Sequence, residues 1–307
     1  MLRTMRSHWI GRLRRRVRKL WRRFLRFFQR LHKAESERLF ESYLREASLG
    51  WAYEQLAGDS ERRPDYRVVL EGHPTRFEVK QFEQDPKEEI PKGAFTYDPY
   101  PPLRKKIGEA AKQLHALKGK EACCVVLFNK DRLLIDLSPM MVFGAMLGDL
   151  GFTFPVDTRT GVGDIERGRT AFGERGKMIR YKSEKAWAAQ NTTISAVVVL
   201  SLLNMGQRWF QVQIRNEERA LGRQYSLEEV LERMEQAAGT ESDVSRSALR
   251  IVVCENPYAA LRLGSFAVGP YDERYGPNEA GELVRLFVGD ELKKLEAAER
   301  DIESNDE

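Results

Sequence analysis

The chain has 307 residues, of which 42% are hydrophobic and 32% charged, a balance typical of globular proteins and unlike that of disordered or fibrous ones. Its longest mainly apolar stretch, residues 194–203, spans only about ten residues and is too short to cross a bilayer. The three cysteines, of which Cys123 and Cys124 are adjacent, form neither a disulfide framework nor a CxxC zinc motif, which favours a reducing, cytoplasmic location.

Positive charge is concentrated at the N-terminal end. Thirteen of the 51 Lys and Arg residues lie in residues 1–34, which contain no acid, so 38 basic residues stand against 46 acidic ones in the remainder. The net charge of +5 therefore combines a basic arm with a mildly acidic body. This asymmetry predicts two units, an arm at 1–34 and a domain at 35–307.

The arm has the pattern of a basic amphipathic helix, because its apolar residues recur every three or four positions. These residues are Leu2, Met5, Trp9, Leu13, Val17, Leu20, Phe24, Phe27 and Leu31. Four interpretations remain open: a helix on an anionic membrane surface, a grip on nucleic acid, a helix packed on the body or on a partner chain, and a transit peptide. The first would make a cytoplasmic protein peripheral at the membrane. Nothing in the sequence indicates the oligomeric state.

The first part of the body alternates between helix and strand patterns. A helix is predicted at 38–56, with Phe40, Tyr43, Leu44, Ala47 and Trp51 on one face. Strands are predicted at 66–70 and 77–82 around a turn at 72–74, followed by a helix at 103–117 and a buried strand at 122–128. The predicted order is α-β-β-α-β.

The second part begins with a glycine-rich and charged segment, for which an irregular insertion is predicted around 140–190. Strands are predicted at 193–203, 209–214 and 249–254. A helix is predicted at 226–237, with Ser226 as N-cap and Glu229 as its capping-box partner. A terminal helix is predicted at 278–300.

The most informative motif lies between Pro64 and Gln81. Pro64-Asp65 is followed, after twelve intervening residues, by Glu78-Val79-Lys80. This arrangement resembles the PD-(D/E)XK nuclease superfamily over residues 38–128, under a third of the chain. The resemblance implies an α/β fold with a restriction-endonuclease-like central mixed β-sheet flanked by helices.

Strand geometry explains how the motif could form a site. Side chains alternate along a strand, so Glu78 and Lys80 share one face while Phe77 and Val79 face the core. Asp65 begins the neighbouring strand and can approach Glu78. Two carboxylates beside a lysine suit a hard divalent cation. In this superfamily the metal set would be Asp65, Glu78 and the Val79 carbonyl, holding Mg²⁺ or, as an alternative, Mn²⁺, with Lys80 beside the attacking water. The competing interpretation is a solvated strand face with a cross-strand ion pair.

Five further residues complete the predicted site. Glu54 is predicted on the apolar face of the first helix, where the superfamily often has an additional acid, and Gln81 matches an auxiliary residue of some branches. Arg104, Lys105 and Lys112 are predicted to follow the phosphate backbone from one helix face, a face that could equally be simply solvated.

The sequence therefore predicts a Mg²⁺-dependent endonuclease or exonuclease that hydrolyses DNA phosphodiester bonds. The alternative is a non-catalytic protein that binds a membrane or nucleic acid through its basic arm, with the restriction-like domain as scaffold.

Overall fold

A computed structural model describes most of the body of the protein. The described residues are 34–53, 64–83, 98, 100–131, 135–148, 150–153, 169–172, 176–183, 186–239, 247–278 and 282–303. Residues 1–33 of the predicted basic arm at 1–34, and the candidate residue Glu54, lie outside them. No helix of the described part is long and apolar enough to span a membrane.

The described residues form six α-helices and twelve strands. The helices are α1 (Glu35–Glu46), α2 (Tyr100–Leu114), α3 (Pro139–Leu147), α4 (Met205–Leu221), α5 (Leu227–Gly239) and α6 (Asp290–Glu303). The strands are β1 (Trp51–Tyr53), β2 (Tyr66–Leu70), β3 (His73–Phe82), β4 (Ala122–Asn129), β5 (Leu150–Thr153), β6 (Arg169–Phe172), β7 (Ile179–Ser183), β8 (Ala186–Ala189), β9 (Ile194–Asn204), β10 (Ser247–Glu255), β11 (Glu273–Pro277) and β12 (Leu283–Val288).

Eight strands form one mixed sheet in the order β1-β2-β3-β4-β9-β10-β11-β12. Strands β1, β2 and β3 are successively antiparallel, and β3, β4 and β9 are parallel. On the far side, β10 is antiparallel to β9 and parallel to β11, which pairs with β12 in antiparallel fashion. The predicted coarse class, an α/β protein with a mixed sheet flanked by helices, is confirmed.

The apolar core lies on both faces of the central strands. Strand β4 is buried from Ala122 to Phe128 because helices cover both of its faces, which explains its continuous apolar sequence. One face packs against α2 and α3, through residues that include Leu103, Ile107, Leu114, Val125 and Leu127. The other packs against α1, through residues that include Phe40, Leu44, Phe77, Val79 and Val126. Strand β3 therefore has α1 below it and α2 above it.

The first helix is shorter than predicted. It ends at Glu46, and Ser48 has a left-handed backbone with φ of 54°, a conformation that no α-helix continues. The chain then forms β1, where Trp51 and Tyr53 contact the ring of Tyr66 on β2. The predicted helix at 38–56 therefore ends about ten residues early, and Glu54 itself lies outside the described residues. The described elements of this part follow the order α-β-β-β-α-β.

Two further predictions are wrong. The segment 209–214 belongs to α4, because Asn204 caps that helix by accepting a hydrogen bond from the Gln207 backbone at 2.9 Å, and Val212 packs with Leu295 of α6. The segment 278–300 contains β12 before α6, because pairing with β11 draws residues 283–288 into the sheet. Alternating and helical apolar patterns overlap over such short segments.

The predicted insertion around 140–190 is partly regular. It contains α3 and two small antiparallel sheets, β5-β6 and β7-β8. The predicted strands at 66–70, 122–128, 193–203 and 249–254 are confirmed to within a few residues. The capping box is also confirmed, because the Glu229 backbone donates to Ser226 Oγ at 3.2 Å and the Ser226 backbone donates to Glu229 Oε2 at 2.8 Å.

Candidate active site

The hairpin of β2 and β3 brings the two acids of the motif together. Tyr66 pairs with Phe77 across the hairpin, so Asp65 and Glu78 follow as the next positions on the two strands. The Asp65 carboxylate accepts a hydrogen bond from the Val79 backbone at 2.8 Å. Because this bond ties Asp65 to the middle of β3, its side chain is held beside Glu78.

Lys80 lies on the same face of β3 as Glu78, beneath α2. Its ammonium donates to Glu78 Oε1 at 2.7 Å and to Gln113 Oε1, on α2, at 2.8 Å. Glu78 is 1% exposed, and the Lys80 side chain is 18% exposed. The pair is therefore a nearly buried ion pair under a helix rather than the solvated strand face of the competing interpretation.

Burial destabilises the ionised forms of both carboxyl groups. Burial raises the pKa of Asp65 to about 7, and the neighbouring Glu78 adds to this shift. Burial also raises the pKa of Glu78, although Lys80 opposes the effect. Glu78 Oε2 is buried and accepts no hydrogen bond from the described residues. A buried acceptor without a partner is rare in native proteins and calls for an explanation such as an ion.

The donor set fits a magnesium ion, which binds oxygen ligands, uses one or two carboxylates and keeps several waters. Asp65, Glu78 and the Val79 carbonyl would supply such a set. Within the part of the chain that the structure describes, no group of three or more His, Cys, Asp or Glu side chains is arranged to hold a metal ion.

Helix α1 contributes an acid that the sequence analysis missed. The charge of Glu37 also raises the pKa of Asp65, and Glu37 accepts a hydrogen bond from the Tyr53 hydroxyl at 3.1 Å. Glu37 is therefore an acid of α1 whose charge acts on Asp65. An acid in the first turn of a helix is the feature by which the sequence could have indicated Glu37. The predicted helix at 38–56 begins one residue after it.

Gln81 does not join the carboxylates. Strand alternation places it on the α1 face of β3, opposite Lys80, where it accepts a hydrogen bond from the Ser36 backbone at 2.8 Å and donates to Glu83. It therefore fastens the start of α1 to the end of β3.

The three basic residues of α2 have different surroundings. Arg104 is 8% exposed, lies 4.9 Å from the ring centroid of Tyr100 and points toward the Gly144 carbonyl of α3. The interpretation of Arg104 as part of an exposed phosphate-binding face is therefore wrong, because its side chain turns inward. Lys105 and Lys112 are exposed.

The chain matches no protein-family model, no curated protein and no solved structure.

Proposed function

We propose that the protein is a Mg²⁺-dependent nuclease that hydrolyses DNA phosphodiester bonds. The observation that carries the proposal is the set of hydrogen bonds that holds Asp65, Glu78 and Lys80 together at β3. The Asp65 carboxylate accepts from the Val79 backbone at 2.8 Å, and the Lys80 ammonium donates to Glu78 Oε1 at 2.7 Å. The two raised carboxylate pKa values and the unpartnered oxygen of Glu78 support it, because perturbed acids cluster at functional sites.

Each residue would have a distinct role. Asp65 and Glu78, with the Val79 carbonyl, would hold the divalent ion and bring its charge next to the phosphate. Lys80 would orient the attacking water and offset the negative charge that develops on the phosphoryl oxygens. A bound divalent ion supplies a Lewis acid that activates water and neutralises the phosphate. Gln113 would orient the Lys80 ammonium.

The direct test is cleavage of supercoiled, linear duplex and single-stranded DNA by the purified full chain, with Mg²⁺, with Mn²⁺ and with EDTA. We expect cleavage that needs the metal, and a loss of at least about a hundredfold in Glu78→Ala and in Lys80→Ala, since each removes a group that contacts the reacting atoms. Lys293→Ala, at an exposed position of α6, is the control and should retain wild-type activity. Wild-type activity in both Glu78→Ala and Lys80→Ala would contradict the proposal.

A second prediction concerns the orientation of Lys80. Gln113→Leu keeps a helix-forming residue of similar size but removes the acceptor that holds Lys80 Nζ. We expect kcat to fall about tenfold with little change in KM, because a misoriented catalytic group slows the reaction more than it weakens binding. Gln113→Glu, which keeps an acceptor oxygen, should restore most of kcat. An equal loss in both variants would show that Gln113 acts only through packing.

A further inference from the structure

A second basic residue, Arg67, lies near the carboxylates on the same face of the sheet. Arg67 is opposite Arg76 in the β2–β3 ladder, and it lies two positions along β2 from Asp65. Side chains two positions apart on a strand share a face, so Arg67 accompanies Asp65 and Glu78. Diagonal neighbours of this kind have Cα atoms roughly 7–8 Å apart, within reach of a long arginine side chain.

Part of the Arg67 guanidinium group lacks a hydrogen-bond partner among the described residues. Its Nε atom is buried and donates no hydrogen bond to the described residues, and no ion pair joins its guanidinium to any of them. Arg76, directly across the ladder, is paired with Glu121. Arg67 thus faces a second arginine across the ladder, and the nearby acid Glu121 pairs with Arg76.

The sheet face around Arg67 is accessible. Ala52 of β1, which pairs with Arg67, is exposed, and Val69, two positions farther along β2, is 48% exposed. Among the described residues, the β1–β2 end of this sheet face is therefore exposed beside Arg67, which is itself half-buried.

We propose that Arg67 binds a DNA phosphate next to the one that is cleaved, an inference that rests on the proposed function. The guanidinium is a planar donor that matches the oxygens of a phosphate. It lies two ladder positions away from the two carboxylates, whereas Lys80 lies beside Glu78 itself. The two residues would therefore have different roles. Lys80 would act on the phosphate that is cleaved, and Arg67 would hold the DNA strand that carries that phosphate.

The test is DNA binding by Arg67→Ala, measured by fluorescence anisotropy in EDTA over a range of salt concentrations, together with steady-state cleavage in Mg²⁺. We expect Kd and KM to rise about tenfold, kcat to change little, and the slope of log Kd against log salt to fall by about one, the value for one lost phosphate contact. Arg67→Lys should keep the salt slope but recover only part of the affinity, because lysine lacks the planar fork.

Arg215→Ala, at an exposed position of α4, is the control and should leave all values unchanged. Wild-type Kd and salt slope in a folded Arg67→Ala would overturn the proposal, and if that variant fails to fold, an unchanged Kd in Arg67→Lys would do so. The same experiments distinguish failure of the nuclease proposal. If the wild-type chain binds DNA through Arg67 but does not cleave it, the nuclease proposal is contradicted while the phosphate contact of Arg67 stands.

Discussion

Asp65→Asn is expected to lose Mg²⁺-dependent cleavage by at least about a thousandfold while gaining stability at pH 8. An amide oxygen can still accept the hydrogen bond from the Val79 backbone, so the hairpin geometry is retained. The negative charge is lost, and with it both the contribution to metal binding and the repulsion with Glu78. A variant that is inactive because it is unfolded could not show this combination of effects.

The pH dependence follows from the pKa of Asp65, which is raised from its usual 3.8 to about 7 by burial and by Glu78. Between these two values the folded chain binds more protons at this residue than the unfolded chain, so wild-type stability falls as the pH rises. The gain in Asp65→Asn should therefore be absent near pH 4 and complete above pH 7. We expect about 1–2 kcal/mol at pH 8, since the partly exposed side chain is screened by solvent.

Urea unfolding at pH 4.5 and pH 8, in EDTA, measures this difference. Asp290→Asn, at an exposed position of α6, makes the same chemical change without the burial and should be nearly neutral. Adding Mg²⁺ should raise the Tm of the wild type more at pH 8 than at pH 5, because the ion binds the ionised carboxylates, and should not raise that of Asp65→Asn. A destabilised or fully active Asp65→Asn would contradict the assignment.

Asp272→Ala is expected to cause the largest loss of stability, about 3–5 kcal/mol. Asp272 is 1% exposed and accepts three hydrogen bonds: from the Tyr43 hydroxyl of α1 at 2.6 Å, from the Gly269 backbone at 2.6 Å and from the Ile251 backbone of β10 at 2.9 Å. Removing the carboxylate leaves three buried or partly buried donors without this acceptor and removes the hydrogen bond that links α1 to Asp272.

Equilibrium urea unfolding at pH 7 measures the effect. Tyr43→Phe removes one of the three bonds and should cost only about 1 kcal/mol, while Glu291→Ala, at a partly exposed position on α6, should have little effect. Helix α1 also places Glu37 near the candidate site. The fraction of the Asp272→Ala variant that remains folded should therefore cleave DNA more slowly than the wild type. A loss no larger than that of Tyr43→Phe would show that the two backbone bonds contribute nothing.

The sequence by itself predicted those parts of the fold that depend on local pattern. Alternating side chains identified β2 and β3 and placed Glu78 and Lys80 on one face, and a continuous apolar run identified β4. The hairpin is a local element, so the approach of Asp65 to β3 was also predictable, although the depth of Glu78 beneath α2 was not. The N-cap at Ser226 was predictable for the same reason, because both of its partners lie within four residues.

Only the tertiary structure decided which residues from distant segments meet the motif. Gln113 lies 33 residues from Lys80 in the chain. The charge of Glu37 acts on Asp65 from α1, and Arg104 turns toward α3. The early end of α1 and the pairing of β12 with β11 likewise depend on partners that a local pattern does not contain. The physical reason is that periodicity specifies which face of an element is buried, whereas the identity of the covering element is set by packing and sheet order over the whole chain.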